Sequence, residues 1–283
     1  MMTDPDPELV AFLARVGLEH EADALASCAT FEIALSAAEE RAPLGATRLG
    51  GTPDFPRGKA EWPMHSWPLT EVHAWPDFAQ EELTEARDLG AVFDEGDRLM
   101  MPIPFLGQVN LAELNAYDSA KVLPATGLLL FFAATMTDIA DPLFGKRVAS
   151  AVIHVDSTDL ESAPDRVVTD PHPQSVLFLQ PERRLVLDLP WERLTELKAR
   201  FPTDEQRRFV VDASKLGDAV LPAPAREAVG RMPPQGETAI FRVLEHDELE
   251  FFVGDASWVT FSIPDDALAE RRFAAARASV FVG

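Results

Sequence analysis

Apolar residues along this chain change their spacing in ways that predict its elements. Leu9, Phe12, Leu13 and Val16 fall at i, i+3, i+4 and i+7, which lines one face of a helix. The spacing predicts a helix over residues 7–29, broken or kinked at Gly17, with a second helical stretch reaching about Arg41. Pro43 and Gly45 close this unit, and the Gly- and Pro-punctuated residues 45–70 are expected to hold no regular structure. Residues 76–89 again suit an amphipathic helix, with Phe78, Leu83 and Ala86 inward, glutamates outward and Gly90 at the end.

Beyond Pro102 the period drops to two. Strands are expected at 103–109, 127–134, 149–155, 175–179 and 184–189, and again at 238–244, 249–253, 258–263 and 279–282. A short helix over 190–201 and another starting near Asp265 interrupt them. Gln108-Val109-Asn110 before the aromatic strand at 127–132 is weakly echoed by Leu244 to Asp247 before Trp258 to Phe261. The expected class is therefore α+β: mixed β-sheets in two similar β-rich halves with short helices, preceded by an N-terminal helical segment. Residues 1–45 form that segment and 46–283 the α+β domain, with halves of about 46–180 and 181–283.

Composition adds a compartment and a charge. Cys28 is the single cysteine, so no internal disulfide and no cysteine-based zinc site are expected. Asp4, Asp6 and Glu8 stand where a signal peptide would carry basic residues, and the apolar run 127–136 is too short to span a bilayer. A cytoplasmic protein with no membrane role is the reading. Twenty-five Lys and Arg against 47 Asp and Glu leave a formal net charge of −22, a field that repels nucleic acid and attracts basic partners. The acids are regional: residues 1–45, 71–99 and 237–270 each hold nine, against Arg15 and Arg41, Arg87 and Arg98, and Arg242 respectively, whereas residues 182–215 are close to neutral. A solvated helix surface would give the same pattern.

Arg48-Leu49-Gly50-Gly51, with Pro53, Pro56 and Trp62-Pro63, is one distinctive run. Phe105 to Leu111, followed by Leu123-Pro124 and Gly127 to Phe132, is a second. Gly254-Asp255 with Phe261, Ile263, Asp266 and Arg272-Phe273 is a third. Together these resemble the YwqG-like family, a bacterial domain of unknown function, from Thr47 to the C-terminus. The resemblance implies a mixed α+β fold and supplies no catalytic residues; some family members look like immunity partners of bacterial toxins. This chain departs from the pattern twice: residues 69–101 form an acidic insertion, and near Lys215-Leu216-Gly217 a glycine pair is missing.

Signatures of common chemistry are missing from the sequence: no His-Glu-x-x-His, no Cys-x-x-Cys, no Gly-x-Ser-x-Gly and no phosphate-cradling loop ending in Lys-Ser/Thr. Accordingly no catalytic residue, metal site or cofactor is expected. His154 and Asp156 alternate on a predicted strand and suit a base and its orienter, though a surface hydrogen bond explains them better. His65 with His73, and His246-Asp247 with Asp255, are looser groupings.

Two functions compete. In the first, a non-enzymatic binding protein sequesters a basic partner, a nuclease-type toxin or effector, without contacting nucleic acid itself. Glu81, Glu82, Glu85, Asp94, Glu95 and Asp97 would make the electrostatic contacts, with Trp75 as anchor. The alternative is a small-molecule-binding protein or hydrolase with a pocket between the halves, lined by Trp62, Gln108, Asn110 and Asp255. Satisfying buried backbone groups explains the same amides. Trp62-Pro63, Trp67-Pro68 and Trp75-Pro76 are stiff units better suited to anchoring a long loop than to walling a pocket.

Overall fold

Two face-to-face sheets, joined at two corners by strands that pass from one to the other, organise the chain. The structure is a computed structural model, and it describes residues 7–26, 28–38, 43–68, 92–93, 98–118, 121–134, 146–163, 175–187, 191–213, 219–220, 236–244, 246, 249 and 258–281.

One sheet contains, in spatial order, β10 (Ser150–Val155), β8 (Leu128–Ala133), β7 (Phe105–Asn110), β2 (Arg48–Gly50) and β12 (Val176–Leu187). The other begins at β12 and continues through β1 (Ala29–Ala37), β13 (Ala219–Val220), β14 (Glu237–Leu244), β15 (Trp258–Pro264), β16 (Arg277–Phe281) and β9 (Lys146–Val148). Every ladder among the described residues is antiparallel. β12 makes the first corner, pairing with β2 over Val176–Phe178 and with β1 over Leu179–Leu187. β9 and β10 make the second. Separated only by Ala149, they pair with β16 and β8 respectively, so one extended run joins the far edges of both sheets.

The core between the sheets consists of inward-facing residues from both. Phe131 on β8 stacks on Phe241 of β14 at 4.1 Å between ring centres and meets Phe261 of β15 edge-on at 5.0 Å. Ile33, Leu49, Val109, Val243, Val259 and Val280 complete it, each all but inaccessible to solvent. A second cluster, on the outer face of the seven-stranded sheet, packs α1 (Pro7–Ala14), α2 (Ala22–Leu25), α4 (Trp191–Arg200) and α5 (Asp204–Ala213) against Leu185 and Leu187. A third covers the outer face of the other sheet, where Phe55, Ile103 and half-buried Trp62 lie on Leu130 and Phe132. The short helices α3 (Leu111–Leu114) and α6 (Asp265–Ala269) follow β7 and β15. The class is α+β.

Three expectations fail. The stretch expected to stay helical to Arg41 is β1 instead: Phe31, Ile33 and Leu35 alternate, and the strand is held on both edges by β12 and β13. Sheet pairing therefore overrides local helix propensity there. Residues 45–70 are not irregular, because β2, β3 (Asp54–Pro56) and β4 (Met64–Pro68) form between their glycines and prolines. β3 pairs with β11 (Leu160–Ser162), and β4 with β6 (Arg98–Pro102), which also pairs with β5 (Val92–Phe93). Finally, the strands expected at 175–179 and 184–189 are one strand, β12, that runs through Pro181. Proline is tolerated because β2 covers only the beginning of that edge, which leaves Pro181 paired on the β1 side alone. The helix expected over 76–89 and most of the strand expected over 249–253 lie outside the described residues. No helix among the described residues is long and apolar enough to cross a membrane.

Candidate binding site

A buried polar network forms where the Arg48-Leu49-Gly50-Gly51 run meets β7. Gly50 and Gly51 both adopt left-handed backbone, at φ 67° and 69°, and turn the chain back so that Asp54 returns beneath Arg48. Arg48 Nη1 donates to Asp54 Oδ2 at 2.8 Å, as do the Gly45 N–H at 2.7 Å and Gln108 Nε2 at 2.8 Å. Gln108 Oε1 in turn accepts from the Asp54 N–H, and its Nε2 also donates to the Ala46 carbonyl. Asp54 and Gln108 are both wholly excluded from solvent. Burial by itself raises the Asp54 carboxyl; hydrogen bonds from Arg48 and Gly45, the Arg48 charge and the Gln108 amide outweigh it, leaving the carboxyl below its ordinary value. Asp54 Oδ1 has no hydrogen-bond partner among the described residues.

Asn110 extends this network outward. It caps α3, its Oδ1 accepting from the Ala112 N–H, while its Nδ2 donates to the Gly45 carbonyl. Thr47 Oγ1 accepts from the Asn110 N–H and donates to Glu113 Oε2 at 2.6 Å. Gln108 and Asn110, two residues apart on β7, thus present paired amides, and both amides engage the chain at 45–54. Trp62 lies elsewhere: its Nε1 donates to the Ile103 carbonyl at 2.8 Å and its ring meets Phe132 edge-on, pinning the 53–63 loop to the outer sheet face. Asp255 lies outside the described residues, as do Trp75, Glu81, Glu82, Glu85, Asp94, Glu95 and Asp97.

The histidine groupings fare differently from one another. His154 is half-buried on β10, with its ring edge-on to Phe273 at 5.5 Å. Asp156 is exposed beyond the strand end and makes no hydrogen bond to it, so the base and orienter are not assembled. His65 is half-buried on β4 and His246 is half-buried in an isolated bridge; His73 and Asp247 lie outside the described residues. Among the described residues no three His, Cys, Asp or Glu side chains cluster as metal ligands.

A groove opens at the second corner. After Ala149 the chain leaves β16 for β8, so β10 and the turn ahead of β16 diverge and leave a wedge between them. Ser150 Oγ still accepts from the Ala278 N–H at 2.9 Å, closing the narrow end. Val152, Ile153 and His154 line one wall, and Arg271 to Ala275 the other, around a volume of about 640 Å³. Periodicity gave no sign of this site, because the Arg271–Ala275 wall is a bend followed by one 3-10 turn over Phe273–Ala275, and only the pairing of β9 and β10 brings it to His154.

A family model described as "Domain of unknown function (DUF1963)" matches residues 47–280. No curated protein matches the sequence. The match starts at Thr47, takes in Arg48, Asp54 and Gln108 of the buried network and ends in β16, leaving α1, α2 and β1 ahead of it. The chain belongs to the family of the Domain of unknown function (DUF1963).

Proposed function

We propose that this chain is a non-enzymatic binding protein of the YwqG-like, immunity-protein kind, acting in the cytoplasm, which neutralises a basic nuclease-type toxin through an acidic surface. The observation that carries the reading is the net charge of −22 together with the location of the cations. Arg48, Arg183, Arg184, Arg200 and Arg242 are each paired with a carboxylate inside or between elements: Asp54, Glu8, Glu32, Glu21 and Glu32 respectively. These five arginines face four carboxylates, so the acid excess lies outside the pairs, and residues 71–99 hold nine acids against two arginines. A one-signed field of this kind steers a basic partner into encounter, while an apolar anchor such as Trp75 would hold it.

Tagged protein expressed in its own host tests this. One basic protein recovered in stoichiometric amount at about 0.1 M salt, where charges still act over roughly 10 Å, supports the reading. Recovery of background proteins alone counts against it.

A further inference from the structure

We propose that the groove between β10 and Arg271–Ala275 is a binding site for a small organic carboxylate with an apolar body. The lining matches such a ligand in shape and chemistry. Its volume of about 640 Å³ lies within the range of small-molecule sites. Half of the described lining is aliphatic, from Val152, Ile153, Ala274 and Ala275, and no carboxylate is among the described lining residues. That is unusual placement in a chain with 47 acids and 25 basic residues.

Arg271 is the anion-binding group. Its neighbour Arg272 is occupied, its Nη2 on Asp266 at 3.0 Å and its Nε on Glu270 at 2.5 Å. The Arg271 guanidinium has no such partner among the described residues, and it is exposed beside the groove. Its backbone is left-handed, at φ 58°, a conformation that costs a non-glycine residue energy and that glycine would adopt freely. A side chain kept in that position despite the strain presents a planar fork suited to both oxygens of a carboxylate. β10 contributes too. Among the described residues no strand pairs with its groove-side edge beyond Ser150, so alternate backbone N–H and C=O groups face the wedge and can bond a polar substituent of the ligand. His154, with Nε2 buried and without a hydrogen-bond partner among the described residues, forms the floor with Phe273.

Benzoate and 4-methylpentanoate are the probes, with benzamide as the neutral isostere and inorganic phosphate as the bare anion, read by isothermal titration and by thermal unfolding of the full chain. Saturable binding of a carboxylate, at least about tenfold tighter than benzamide, is expected. Arg271→Gly removes the guanidinium and relieves the strain together, so it should unfold at the same temperature as wild type or higher while binding carboxylate at least about tenfold more weakly. Ala274→Trp, which fills the groove from an exposed position, should also abolish binding. Absence of saturable carboxylate binding overturns the proposal, as does undiminished binding by Arg271→Gly. Phosphate binding as tightly as benzoate would overturn the apolar-body assignment. Binding of extended acidic peptides but of neither probe would overturn it in favour of strand addition along β10.

Discussion

Asp54 has its carboxylate held by three donors at one oxygen and shut away from solvent. Its lowered native pKa gives stability that is fully present above the unfolded value of about 4 and is lost as acid titrates down through the native value. Asp54→Asn should therefore flatten the acid limb of the stability–pH curve. Asp54→Ala strands the buried Arg48 guanidinium and should cost about 3–5 kcal/mol in urea unfolding at neutral pH. Gly107 is tied to the same spot by sterics: a Cβ there would sit 2.7 Å from the Arg48 carbonyl oxygen, which is backbone and cannot move aside. Gly107→Ala is expected to cost about 1–3 kcal/mol, measured the same way, by forcing β7 off β2. The sequence displays these residues plainly as motif letters. What it conceals is that they bond to one another, since 54 residues separate Asp54 from Gln108.

At the scale of elements, Glu32 ties three strands of the larger sheet together. From β1 its Oε1 accepts from Arg184 on β12, and its Oε2 accepts from Arg242 Nη2 on β14 at 3.0 Å. Arg242 lies almost as deep as Glu32 itself, so Glu32→Ala removes the carboxylate to which both arginines donate and should lower unfolding free energy by about 1.5–3 kcal/mol. Asp204→Ala breaks the exposed, solvent-screened Arg207–Asp204 pair on α5 and should leave stability almost unchanged. Equal losses in the two variants, measured by urea titration, would contradict the assignment of Glu32 as the strand tie. Strands of six to eight residues rich in apolar, β-branched and aromatic side chains, such as β8, β10, β14 and β15, were legible in the sequence to within a residue or so. β1 was not, because Ala29 to Ala37 contains helix formers whose strand state depends on two distant partners. The three-residue strands β2 and β3 escaped for a related reason: too short to show a period, they exist through their partners.

For the whole molecule, the central feature is a surplus of acids. Buried arginines are matched by carboxylates, two of them sharing Glu32, while the chain as a whole carries a net charge of −22, with 71–99 among its most acidic stretches. Composition alone revealed that imbalance. The second corner, by contrast, exists only because residues 146–155 bridge both sheets, and no local pattern announces such a join. If the acidic run steers a basic protein partner, the association rate must depend on both salt and those acids. The decisive measurement is that rate for the recovered partner, with wild type and with Glu81, Glu82 and Glu85 all changed to Lys. The account predicts that wild type slows at least about tenfold between about 0.1 M and about 1 M salt, and that the triple variant is slow at both. Equal rates for the two proteins at about 0.1 M would contradict it.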